Sequence, residues 1–227
     1  MRPSRTFAVA LAAAAALAAH PAAAQTSAPP AAQQAAMARA RADSMRHPWT
    51  EADARFMSNM IGHHAQAIVM AQMAPSHGAS PSIQTLAGRI INAQRDEIVT
   101  MQTWLRDRGR PVPQVDVGGH ANHDMAGMQH DMAGMQHALM PGMLTPEQLA
   151  ALDAARGQDF DRLFLRLMIQ HHSGAIQMVS ELFSSYGAGQ DETVFKFASD
   201  VNVDQATEID RMQRMLADLI FGATPSQ

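Results

Sequence analysis

Met60, Ile61, Gly62, His63 and His64 spell a short motif that returns 108 positions later as Met168, Ile169, Gln170, His171 and His172. Met70 and Met178 follow at the same distance in the two copies. Imidazole nitrogen and thioether sulfur are both neutral metal donors, and the sulfur is soft. Together they favour Cu(I), and by extension Ag(I), over Mg, Ca or Mn, which prefer oxygen. Zinc or Cu(II) held by the histidines alone is a second reading of the same residues. The candidate ligands are therefore Met60, His63, His64, Met70, Met168, His171, His172 and Met178. Glu97 and Glu208 occupy matched places further along the two copies. Either could accept a hydrogen bond from a ligating imidazole or bind the ion directly.

A second ligand-rich stretch lies between the copies. HDMAGMQ occurs twice in tandem, at 123–129 and 130–136, within a segment holding His120, His123, Met125, Met128, His130, Met132, Met135 and His137, with Met140 and Met143 beyond. So dense a run could capture several soft ions without a preformed geometry. Its seven-residue period would suit a coiled coil, but its two glycines and scarcity of branched aliphatics argue against a packed helix. We read residues 110–144 as a mobile loop.

The elements that must carry the two motifs follow from periodicity. Thr50, with Asp53 in capping-box spacing, starts a helix that runs to about Ala74. A second runs from about Ser82 to Arg108 and is stopped by Gly109. Thr145, Pro146 and Gln148 start a short helix, and long helices follow from about Asp159 to Ser185 and from about Glu192 to Phe221. No run of alternating β-branched residues suggests a strand. A shift of 108 superposes Asp53, Phe56, Ala67 and Ile68 on Asp161, Phe164, Ala175 and Ile176, besides the motif itself. A shift of 111 superposes Ala87, Gln94, Glu97, Ile98, Met101 and Leu105 on Ala198, Gln205, Glu208, Ile209, Met212 and Leu216. The chain is thus a duplicated helical hairpin. Two amphipathic hairpins that cover one another make an all-α four-helix bundle, with 110–144 as the crossover.

On a wheel of about 100° per residue, Phe56, Met60, His63, His64, Ala67 and Met70 share one arc, and Ser58, Asn59, Ala65 and Gln66 lie opposite. A lone histidine on an apolar arc is usually a hydrogen-bonded core residue. Four converging on one bundle are another matter, because each buried ring nitrogen without a partner costs about 1–3 kcal/mol. A metal supplies those partners, and facing helices of a bundle are where such sites form. A ferritin-like di-iron centre would need glutamates followed three residues later by histidine, and the chain has none.

The ends and the composition narrow the setting. Arg2 and Arg5 precede an apolar run from Phe7 to Ala19 and a small-residue stretch ending at Ala24, the pattern of a secretory signal peptide cleaved after Ala24. The run is short of the roughly 20 residues that span a bilayer, and no later segment resembles a membrane helix. Cleavage would remove two arginines and no acid, taking the formal charge from -4 to -6. Nucleic acid is therefore excluded as a natural partner. The chain has 18 methionines and no cysteine, which suits soft-metal binding where thiols would oxidise. Residues 25–48 read as a flexible lead-in, 49–221 as the bundle domain and 222–227 as a tail.

The blocks DARFMSNMIGHHAQAIVMA and FDRLFLRLMIQHHSGAIQMV, the latter preceded by PGMLTPEQLAALDAARGQD, resemble a widespread bacterial family of exported ferritin-like four-helix proteins. That family is classed as a domain of unknown function and includes a periplasmic copper-binding protein of cyanobacteria. The resemblance covers about residues 50–221. It implies copper binding in the envelope and a part in copper tolerance, with the motif methionines and histidines as ligands; the loop ligands rest on chemistry alone. The expectation is a periplasmic or secreted protein that sequesters or carries Cu(I), exchanging it with other envelope copper-handling proteins, and not an enzyme. A ferritin-like oxidase of Cu(I) or Fe(II), and a metal-free envelope module with satisfied core histidines, are the alternatives. The sequence leaves oligomeric state open.

Overall fold

A computed structural model describes residues 49–115 and 140–222, with 31, 33–35, 38 and 39. The stretch expected to be a signal peptide, nearly all of the expected lead-in, both HDMAGMQ repeats and the tail beyond 222 lie outside the described residues. Within them the long elements are α1 (Glu51–Gln72), α2 (Pro81–Asp107), α3 (Pro146–Ala154), α4 (Gly157–Ser184) and α5 (Glu192–Phe221). Each boundary of the four long helices falls within two residues of its sequence expectation, while the short α3 ends at Ala154, three residues before the expected stop near Gly157, and local chemistry explains the starts. Thr50 and Asp53 form a reciprocal capping box at α1, Thr145 and Gln148 another at α3, and Asp191 caps α5 by accepting from the backbone N–H groups of Thr193 and Val194. Such caps satisfy amides that helical bonding leaves orphaned.

The helices pair as two antiparallel hairpins, α1 with α2 and α4 with α5, joined chiefly through α1 against α4. Their apolar faces form two clusters. One gathers Phe56, Met60, Met101, Trp104, Met178 and Phe197; the other gathers Met70, Leu86, Ile90, Phe160, Phe164 and Met168. Each cluster combines the start of one motif helix with the end of the other, as an antiparallel crossing requires.

Two buried carboxylates lock this crossing. Asp53 Oδ1 accepts from the backbone N–H of Gly189, at 2.7 Å, in the α4–α5 turn. Its repeat mate Asp161 accepts from the N–H of Ser80, at 3.2 Å, in the α1–α2 turn. Each hairpin therefore holds the turn of the other. Gly189 has φ of +69°, the left-handed region that the tight turn needs and that only glycine adopts cheaply.

One expectation is corrected. Ala65 and Gln66 were placed on the solvent side of α1, yet they are 2% and 3% exposed. Residues 140–144 return across that face as a strap, so this end of the crossover is bound to the bundle rather than mobile. Gln66 clamps it twice: its Oε1 accepts from Leu144 N–H at 2.7 Å and its Nε2 donates to Leu144 O at 3.1 Å. The periodicity of α1 described a helix in a symmetric bundle and could not show a covering strap.

Candidate metal centre

His63, His64, His171 and His172 are all fully buried. They form a polar layer where α1 and α4 cross, between the two apolar clusters. The His63 and His171 rings lie with centroids 3.9 Å apart, and those of His171 and His172 6.2 Å apart. The two motif copies thus contribute to one layer.

Hydrogen bonding to carbonyls fixes which nitrogen carries the proton in two of the rings. His63 Nε2 donates to the Pro141 carbonyl at 3.0 Å, and His171 Nε2 donates to the His63 carbonyl at 3.0 Å. A carbonyl only accepts, so both Nε2 atoms are protonated and both Nδ1 atoms carry lone pairs. His172 Nε2 lies 2.6 Å from Glu208 Oε2. His64 Nε2 lies 2.7 Å from Glu97 Oε2, a close ion-pair contact whose angle is not that of a hydrogen bond. In all four rings Nδ1 is buried and has no protein partner. Burial, and after it the neighbouring His64, pushes His63 down to about 3, so it is neutral at pH 7. His171 is held well below its usual range by burial first and then by His63. Neutral imidazoles with free lone pairs are the state in which histidine binds a metal.

His77 shows what a satisfied histidine looks like here. It is 2% exposed, but its Nδ1 meets Ser76 Oγ at 2.9 Å and its Nε2 meets Asp153 O at 2.9 Å. Neither ring nitrogen is left over, and its role is to tie the α1–α2 turn to the end of α3.

The mismatched residues inside the repeat explain how the strap is seated. Gly62 stands where the second copy has Gln170, and the methyl of Met140 rests over it, 3.8 Å from where a Cβ would be. Gln170 instead bonds Gln148, with Oε1 accepting from Gln148 Nε2 at 3.0 Å, and reaches Gly142 O at 3.4 Å. Gly174 stands where the first copy has Gln66, and a Cβ there would lie 1.9 Å from Pro141 O. The bare glycine is what lets the strap carry its carbonyl to His63. Sequence reasoning noted the matches and passed over these mismatches, which were the available signal for Gln66, Pro141 and Gly174.

Glu97 and Glu208 touch Nε2 rather than Nδ1, the side from which a carboxylate orients a ligating imidazole. Asp204 joins them: its carboxyl is raised by partial burial first and then by Glu97, Asp200 and Glu208. On the same two helices the repeat mates Gln94 and Gln205 are 2% and 4% exposed, each with amide atoms lacking a partner. The seam between α2 and α5 is thus acidic outside and polar inside. The motif methionines divide: Met60 and Met178 belong to one flanking cluster, Met70 and Met168 to the other. Among the described residues no three His, Asp or Glu side chains converge into a cage for an ion. A soft ion needs fewer nitrogen donors than a zinc cage when thioethers flank them. His120, His123, Met125, Met128, His130, Met132, Met135 and His137 lie outside the described residues.

Comparison with known proteins bears on this arrangement. The family described as "Domain of unknown function (DUF305)" matches residues 53–216. A DUF305 protein of Streptomyces coelicolor, provisionally described as secreted, is 25% identical, with a TM-score of 0.58 over 78% of this chain and 97% of its own. CopM in its Cu(I)-bound form is 30% identical, with a TM-score of 0.54 over 75% of this chain and 97% of its own. CopM in its Ag-bound form, obtained by co-crystallization, gives 30% and 0.51 over 73% of this chain and 96% of its own. No curated protein sequence matches this chain. No helix among the described residues is long and apolar enough to cross a membrane.

Proposed function

The chain belongs to the DUF305 family, and from that premise we propose that it binds Cu(I), and Ag(I) by the same donor chemistry, holding or carrying the ion without chemical turnover. The observation that carries this reading is the set of buried Nδ1 atoms of His63, His64, His171 and His172 that have no protein partner. Left dry, each costs about 1–3 kcal/mol, and a soft ion bound among them removes that penalty. CopM, a relative at 30% identity, has a Cu(I)-bound form, which supports copper as the ion. The N-terminal pattern of Arg2, Arg5 and the run Phe7–Ala19 supports the periplasm or cell exterior as the place. Sequestration there fits a part in copper tolerance, with metal ions and other envelope copper-handling proteins as partners.

The test is Cu(I) retention against a competing chelator. The wild type should retain Cu(I), and His63→Ala/His171→Ala should weaken retention by at least about a hundredfold, some 2.7 kcal/mol. His77→Ala, which removes a satisfied histidine, should not. Equal retention in all three would defeat the reading. Oxygen consumption on adding Cu(I) or Fe(II) would defeat its non-catalytic part.

A further inference from the structure

We infer that the cleft holding Met140 and Met178 is a second soft-ion site, and the mouth through which Cu(I) or Ag(I) reaches the buried histidines. The inference rests on the copper-binding reading above and adds a residue, Met140, and a route.

A cleft of about 180 Å³ opens beside α1 and α4 and is lined by Phe56, Asn59, Met140, Pro141 and Met178 among others. Two thioethers from distant parts of the chain therefore face one small solvent-connected space. Met178 is 6% exposed and Met140 half-buried, so both are reachable from this opening but not displayed on the surface. Arg55 and Glu181 also line the cleft and cancel in charge. Selection there falls to the sulfurs, which favour a soft monovalent ion over a strongly hydrated divalent one.

The cleft is also joined to the histidine layer. Pro141, part of its wall, supplies the carbonyl that accepts from His63 Nε2, and the His63 ring lies 3.9 Å from that of His171. Both rings have a buried Nδ1 without a protein partner, which gives an ion leaving the thioethers somewhere to go. Gly62, the one residue by which MIGHH differs from MIQHH, leaves the space above α1 that the Met140 methyl occupies. The competing approach is the α2–α5 seam, whose Glu97, Asp204 and Glu208 offer hard oxygen donors.

The test uses the whole chain with ¹³C-methyl methionine and ¹⁵N-histidine, titrated with Ag(I) below one equivalent and followed by NMR. Met140→Leu and Met178→Leu assign the two signals and conserve core volume, so they leave the fold intact. The Met140 and Met178 methyl resonances should shift in the wild type and still shift in His63→Ala/His171→Ala. Stopped-flow uptake should slow by about tenfold in Met140→Leu/Met178→Leu, while Asp204→Asn stays within about twofold of the wild type. If other methionine methyls and the histidines respond while Met140 and Met178 do not, or if Asp204→Asn slows uptake and the double leucine variant does not, the cleft proposal is overturned alone. If no methionine or histidine responds, the copper-binding reading falls with it.

Discussion

A histidine that spends Nε2–H on a carbonyl keeps one lone pair, and where that lone pair ends up decides what the residue is for. In His77 it meets a hydroxyl; in His63 and His171 it meets nothing in the protein. That distinction was invisible in the sequence, because residue type alone does not show which partner a ring nitrogen will meet. The pairing of His with Met was legible, because donor chemistry needs only residue types. Acid should expose the difference. Folded His63 stays neutral to about pH 3, and His171 is shifted the same way, whereas both would titrate near 6.5 when unfolded. Between those values the unfolded chain binds more protons. The metal-free protein must therefore lose stability as pH falls through that window, by up to about 1.4 kcal/mol per pH unit for each histidine. Urea midpoints at pH 7.5 and 5 measure it, and a flat profile across both His63→Ala/His171→Ala and wild type would contradict the burial of neutral rings. Gly174→Ala drives a Cβ into the strap and should cost about 1–3 kcal/mol, the usual penalty of overpacking. Gly88→Ala is the control: nothing lies within 4 Å of its added Cβ, and it should stabilise α2 by about 0.5–1 kcal/mol.

At the scale of elements, every long helix could be read from its caps and its period, since Thr50, Thr145 and the glycines act within a few residues of themselves. Long-range pairings were not legible. Asp53 reads only as a local cap and Asp161 only as its repeat mate, because a carboxylate that reaches the other hairpin's turn leaves no mark in local sequence. Removing either carboxylate strands a turn amide: Asp53→Ala and Asp161→Ala should each cost about 1–3 kcal/mol by chemical denaturation. Their effects should add, because the antiparallel crossing puts the two braces at opposite ends of the bundle. Strong non-additivity would mean that the braces act as one unit. The strap at 140–144 was missed for a related reason. Gln66 looks like a surface residue of a symmetric helix until a non-repeated segment covers it, and the only trace was that glycine replaces it at 174.

For the whole molecule, duplication brings two copies of one motif across a two-fold-like crossing, and the strap breaks that symmetry on the side of His63. An ion bound only by the folded layer must stabilise the fold. At a hundredfold excess over Kd the gain is about 2.7 kcal/mol, and Tm should rise by about 5–10 °C with Cu(I) or Ag(I). The same ions should raise the Tm of His63→Ala/His171→Ala by clearly less than that of the wild type, which calorimetry can check. The central claim, that the lone pairs at Nδ1 of His63, His64, His171 and His172 receive the ion, is tested most directly by long-range ¹H–¹⁵N NMR of the histidine rings during Ag(I) titration. The account predicts that the Nδ1 resonances of His63 and His171 start at unprotonated positions, that the Nδ1 resonances of all four shift on binding, and that His77 does not move. Nδ1 signals that remain in place while the protein takes up Ag(I), or a shift confined to Nε2, would contradict it.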